Sequence, residues 1–225
     1  MHDQWTPENT STQRVADRHA RHGTMLPEPD GGAVWVGAPL RVHRRCDRPM
    51  FEISNTIAYG GDLMIYGTSP NDDYPGRNSW INVRSSQSQS NWIPAEGEAL
   101  IRLLVDLERD GVEPHEDRVI SPFRDVVREG KDLIAKRFKH YEGFAAKNIG
   151  TVHTVQGQEA NVVILVLGSK PNGTGARAWA SGKPNLLNVA VSRAKHRLYV
   201  IGNRDNWKGL RYFDVLAAAV PDDLN

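Results

Sequence analysis

The chain has 225 residues, a formal net charge of +1, 39% hydrophobic and 24% charged residues, so neither general disorder nor a strongly polyanion-seeking surface is indicated. No unbroken apolar run is longer than Val162 to Leu167, which falls far short of the ~20 residues that span a bilayer, and no apolar stretch opens the N-terminus. A lone Cys46 allows no internal disulfide, and no His or Cys spacing suggests a metal framework. The expectation is a cytoplasmic protein with no membrane partner and no metal ligands of its own.

In chain order, residues 1–10 read as frayed, Ser11 to Arg21 as a short polar helix, and Met25 to Gly32 as a linker rich in Pro and Gly. We expect one segment at 1–32 (N-terminal helix and linker) and a domain at 33–225. Val34 to Val36 and Leu40 to His43 suggest short strands. Pro49 to Tyr59 then suggests a helix ended by Gly60-Gly61, with Met50, Ile53 and Ile57 on one face. Leu63 to Tyr66 and Trp80 to Val83 are strand candidates, separated by a loop at 68–79. The polar stretch Arg84 to Asn91 reads as a mobile loop.

Leu100, Leu103, Leu104 and Leu107 repeat at helical spacing, with Gly111 placed as a C-terminal cap. Arg118 to Ser121 predicts a strand, Pro122 a break, and a helix follows to about Tyr141. Ile149 to His153, Val162 to Leu167 and Leu198 to Ile201 predict three more strands. The second is a β-branched run suited to burial on both faces. A Gly-rich loop (168–182) and a helix near Leu187 to Ala194 separate the last two. Strands alternating with helices predict an α/β fold with a mostly parallel sheet flanked by helices.

Nucleotide hydrolysis needs a phosphate cradle. Neither Gly130-Lys131 nor Gly182-Lys183 completes GxxxxGK[ST], and no strand ends in a magnesium-binding acidic pair. Three segments instead gather Arg, Gln and Glu near strand ends, where open parallel sheets bind ligands at the carboxyl edge. They are LRVHRRC (40–46), TVHTVQGQE (151–159) and NVAVSRAK (188–195).

TVHTVQGQEANVVI (151–164) resembles motif V of superfamily 1 helicases, NVAVSRAKHRLYVIG (188–202) motif VI, LRVHRRCDRPMFEISN (40–55) motif IV, and VISPFRDVV (119–127) the strand-to-helix segment of the same domain. Order and spacing are similar to the second RecA-like domain of the 5′-to-3′ branch, the nonsense-mediated-decay and Okazaki-fragment helicases, over about residues 34 to 205. The resemblance implies a RecA-like, P-loop NTPase-type (AAA) fold and half of an ATP-dependent motor. ATP and Mg²⁺ would be held mainly by a first RecA-like domain, in the same longer chain or a separate subunit. This chain by itself would then be inactive. The partner polymer would be single-stranded DNA or RNA.

By the same resemblance, Arg45 and Arg193 would be arginine fingers on the γ-phosphate. A guanidinium offers a planar, permanently charged fork for phosphate oxygens. Gly157, Glu159, Gln156 and Lys195 would contact nucleotide. Thr151, His153, Thr154 and Asn55 would lie on the nucleic-acid path. His153 stands where many members have Asp. Each residue has a plainer alternative: Glu159 capping a turn, His153 packing in a strand, Thr151 and Thr154 satisfying turn hydrogen bonds, Asn55 serving its helix. Arg41 and Arg48 read as solvated surface residues and Cys46 as a buried filler. Trp80, Trp92 and Trp179 read as core or loop-packing residues, with base stacking the alternative. A truncated helicase-like module that only binds nucleic acid or a protein is the competing function. A nuclease would need clustered carboxylates that the sequence scatters.

Overall fold

A computed structural model describes residues 12–27, 31–38, 41–139, 143–155 and 157–223. The chain divides into two compact units, 1–41 and 42–225.

In the first unit, helix α1 (Thr12–His19) precedes an antiparallel hairpin of β1 (Gly23–Pro27) and β2 (Ala33–Gly37). The linker expected at 25–32 is therefore half strand: Met25 pairs with Trp35 and Leu26 with Val34. Pro27 did not prevent this, because it sits at a strand end. Asp17 of α1 is buried, and its Oδ1 accepts the Gly37 amide at 3.1 Å. A Cβ at Gly37 would stand 2.5 Å from that of Ala20, so the close approach of helix and strand requires glycine.

The second unit begins with β3 (Val42–His43), helix α2 (Met50–Tyr59) and β4 (Ile65–Tyr66), a small parallel pair linked by its helix. Gly60 closes α2 at φ 72°, the left-handed conformation common at helix ends. The remaining elements are β5 (Ser79–Asn82), α3 (Pro94–Arg109), β6 (Asp117–Ser121), α4 (Arg124–Arg137), α5 (Phe144–Asn148), β7 (Ile149–Thr151), β8 (Ala160–Val166), α6 (Thr174–Ser181), α7 (Pro184–Val191), β9 (Ala194–Gly202), α8 (Arg204–Trp207) and α9 (Phe213–Ala219). Strands β5-β9-β8-β6-β7 form one sheet, parallel throughout. This is the α/β, RecA-like architecture the sequence implied.

Residues 162–165 on β8 have no solvent exposure. A strand buried at consecutive positions is covered on both faces, so helices flank the sheet on each side. The leucine stripe of α3 is buried as its spacing predicts. The 168–182 segment holds α6, although its Gly and Ala content suggested only loop. Leu40 and Tyr141 lie outside the described residues, as do residues 1–10. Among the described residues no helix is long and apolar enough to cross a membrane.

Two acids are buried where sheet and helices meet. Glu96, in the first turn of α3, accepts the Gly168 amide at 2.8 Å, pinning the loop after β8. Burial pushes its carboxyl up to about 8 despite that hydrogen bond. Burial, reinforced by neighbouring Glu116, pushes Asp117 up to about 8 as well. The folded chain thus keeps protons that the unfolded chain releases, so stability is fullest below the ordinary carboxylate range and falls as pH rises towards about 8. We expect urea denaturation midpoints to drop between about pH 5 and about pH 8, and Glu96→Gln to flatten part of that slope. A variant with an unaltered slope would show that Glu96 ionises freely in the folded chain.

Candidate functional site

The amino ends of β8 and β9 lie side by side, with Ala160 in register with Ala194. Glu159 immediately precedes the first strand and Arg193 the second, and the Ala160 amide donates to the Arg193 carbonyl at 3.0 Å. The segment after β3 is tied to the same place: the Asp47 amide donates to the Lys195 carbonyl at 2.7 Å, and Asp47 Oδ2 lies 2.8 Å from His196 Nδ1. Ser54 of α2 donates to Asn188 Oδ1 of α7 at 2.6 Å, fixing the two helices across from each other.

These ties bring Arg45, Glu159 and Arg193, from three separated segments, into one open cleft of about 540 Å³. The expectation that they gather at the carboxyl edge of the sheet is corrected. Glu159 and Arg193 belong to connections entering β8 and β9, so they stand at the amino edge. Arg44, Ser54 and Asn188 line the polar side, and Val42, Tyr59 and Met64 add apolar surface. Sequence reasoning missed Ser54, although a polar residue set among buried Met50, Ile53 and Ile57 is a readable signal.

Charge in the cleft is one-sided. Arg45 Nε lies 2.7 Å from Glu159 Oε1, and Lys195 Nζ lies 3.7 Å from Glu159 Oε2. One carboxylate therefore faces two cations, and Arg193 adds a third charge that Glu159 does not pair. Arg193 is only 7% exposed, and its buried Nε has no hydrogen-bond partner. Burial first, then Arg45, lowers its pKa, while Glu159 opposes the shift. A guanidinium stays protonated regardless. Among the described residues the cleft thus sets Arg45, Lys195 and Arg193 around Glu159.

His43 Nε2 lies 3.0 Å from Cys46 Sγ. Burial, reinforced by Arg45, holds His43 below its ordinary value. Burial and the Asp47 charge push the Cys46 thiol up to about 12, so it is a neutral, fully buried filler and not a nucleophile. Gly157 adopts φ 87° with open space where a Cβ would stand, so its backbone conformation is what favours glycine. Gln156 lies outside the described residues. Arg48 is exposed and pairs with Glu52 at 3.2 Å.

The other sequence-derived residues separate from this cluster. Thr151 ends β7 at the carboxyl edge, and Thr154 Oγ1 donates back to its carbonyl at 3.0 Å. Both line a second open cleft, of about 610 Å³, with Gln158, Arg118, Lys131 and Lys147. His153 is exposed beside them. Asn55 joins neither cleft. It is buried, and its amide holds Gly61 and Met64, the Met64 amide donating to Oδ1 at 3.1 Å. It shapes the turn behind the cationic cleft. Trp80 and Trp92 are core residues, whereas Trp179 is 56% exposed, against the packing role expected for it. Among the described residues no cluster of three or more His, Cys, Asp or Glu could hold a metal ion.

A family model described as an AAA domain matches residues 38–205. Among curated proteins, the chain is 24% identical over 172 residues to the chicken (Gallus gallus) DNA replication ATP-dependent helicase/nuclease DNA2, covering 72% of this chain and 16% of that protein. It is 24% identical over 186 residues to Regulator of nonsense transcripts 1 of Caenorhabditis elegans, covering 73% and 17%. It is 25% identical over 185 residues to the ATP-dependent helicase NAM7 of Saccharomyces cerevisiae, covering 73% and 18%. The chain thus spans about a sixth of the length of these relatives. Among solved structures, the C-terminal domain of a possible DNA helicase from Lactobacillus strain WCFS1 superposes with a TM-score of 0.45 at 14% identity, covering 80% of this chain and 97% of that one.

The Arg45–Glu159 pair is half-exposed, 45% and 33%, and such pairs contribute at most about 1 kcal/mol. Glu159→Gln should therefore leave the fold intact and lower stability by no more than ~1 kcal/mol, less at high salt, because Arg45 and Lys195 then repel without mediation. Denaturation at low and high salt measures this. A larger, salt-independent loss would make Glu159 a packing residue.

Proposed function

The chain belongs to this AAA-domain family, as a superfamily 1 helicase-like domain, and from that premise we propose that its second unit, residues 42–225, is the second RecA-like domain of an ATP-dependent motor acting on single-stranded DNA or RNA. ATP and Mg²⁺ are held mainly by a first RecA-like domain carrying the phosphate loop, which this sequence does not contain. The observation that carries the reading is the amino-edge cleft, where Arg45 and Arg193 converge around a single carboxylate and Arg193 keeps a buried donor unpaired.

The chemistry at an ATP site is phosphoryl transfer to water, in which negative charge spreads over the γ-phosphate oxygens. Arg193, held in place by burial and by the backbone bond at its carbonyl, presents charge without further reorganisation. Arg45 is more exposed and is restrained by Glu159. Contact with phosphate lets it exchange one anionic partner for another. Glu159 and Lys195 then line the nucleotide side, and Thr151, His153 and Thr154 face the polymer at the opposite edge. Similarity to an ATP-dependent DNA replication helicase/nuclease and to an ATP-dependent helicase supports the motor reading.

The test is nucleic-acid-stimulated ATP hydrolysis by the chain assembled with a first RecA-like domain. We expect Arg193→Ala to lower kcat by ~10³ or more while the fold survives, and Arg193→Lys not to restore it. The chain by itself should hydrolyse no ATP. Unchanged turnover in Arg193→Ala would remove the finger assignment. An assembly that binds nucleic acid but never hydrolyses ATP would instead mark a binding module.

A further inference from the structure

Trp179 is the one described tryptophan left more than half exposed, at 56%. It stands on α6, beyond the carboxyl end of β8, with the Phe123 ring from the loop after β6 beneath it at a centroid distance of 6.0 Å. The cationic cleft is at the other end of the same strands, so Trp179 takes no part in it.

The pedestal under this ring is unusually constrained. Gly168 and Ser169 both have positive φ, 60° and 79°. For serine that conformation is costly and persists only where the surroundings impose it. They do so here. The Ser169 amide donates to the Asn91 carbonyl at 2.8 Å, and Glu96 accepts the Gly168 amide. Arg177, 7% exposed, donates to Ser169 Oγ at 3.1 Å, the Lys170 carbonyl at 3.0 Å and the Pro171 carbonyl at 3.1 Å. A buried arginine and a strained turn thus fix the first turns of α6, the helix that exposes Trp179 to solvent.

Exposed charge around the ring is mainly positive, and the nearby carboxylate of Asp125 is engaged by the Asn91 amide at 2.8 Å. Residues 160–204 contain no Asp or Glu, and the 168–183 excursion carries Lys170, Arg177 and Lys183. Arg124 follows Phe123 and is exposed, as is Lys170. Among the described residues neither makes an ion pair. Along the same edge Thr151 is in register with Ser121, and Ile120 with Leu165, so the loops bearing Thr154, Phe123 and Trp179 follow one another across β7, β6 and β8.

We propose that Trp179 is a stacking platform for an unpaired base of a single-stranded nucleic acid whose phosphates pass Lys170 and Arg124. This rests on the reading of the chain as a motor domain acting on such a strand. An indole face takes any base, and nearby cations hold the backbone, which is the chemistry of single-strand grip without sequence choice.

The experiment is titration of the full chain into a fluorescein-labelled oligo(dT) strand, and into the same strand with its bases removed. We expect Trp179→Ala to weaken oligo(dT) binding about tenfold, and Trp179→Phe to retain most of it. Binding to the abasic strand should be equal in wild type and Trp179→Ala. A merely structural role for the indole would weaken both strands alike. Wild-type affinity for oligo(dT) in Trp179→Ala, equal losses on both strands, or a wild-type chain that does not bind oligo(dT) would each overturn the proposal. If Trp179→Ala binds normally while Arg193→Ala abolishes ATP hydrolysis in the assembled motor, the platform is wrong and the motor reading stands.

Discussion

Everything at the cationic cleft depends on the amino ends of β8 and β9 lying side by side. The Ala160–Ala194 register sets Glu159 and Arg193 next to each other, and the Asp47–Lys195 backbone bond draws in the segment carrying Arg45. Hydrogen bonds between backbones place three segments distant in sequence with little freedom. The cluster then accumulates more positive charge than Glu159 neutralises. That excess is tolerable at an open cleft, where water screens the exposed cations.

The sheet thereby acquires two chemically distinct edges. The cleft at the amino edge carries arginines, a lysine and Glu159. The carboxyl edge carries paired threonine hydroxyls, exposed His153 and the indole of Trp179 on its constrained turn. Between them, β8 is buried on both faces and admits no sliding without breaking its packing.

Much of this architecture was legible because the signals were long or periodic. The leucine stripe of α3 and the continuous apolar run of β8 allow one reading each. Shorter elements escaped for physical reasons. Strand β1 has five residues, includes a proline, and is recognisable only through its pairing with β2. Helix α6 is built from Gly, Ala and Ser around one tryptophan, a composition that reads as loop until Arg177 is seen anchoring it. The convergence of Arg45, Glu159 and Arg193 followed from motif resemblance. Which edge they occupy did not, because it depends on whether a residue enters or leaves its strand. Asn55 shows the converse: its place in a motif-like segment suggested a ligand contact, yet its amide is spent on the turn at Gly61 and Met64.

The central claim is that the amino-edge arginines complete an ATP site belonging to another domain. The most direct measurement is a structure of the chain assembled with a first RecA-like domain and a planar transition-state mimic, ADP with aluminium fluoride. We expect guanidinium nitrogens of Arg193 and Arg45 within about 3 Å of the fluoride group, with the Arg45–Glu159 contact lengthened. Arg193 facing solvent or protein while the nucleotide is bound elsewhere would contradict it.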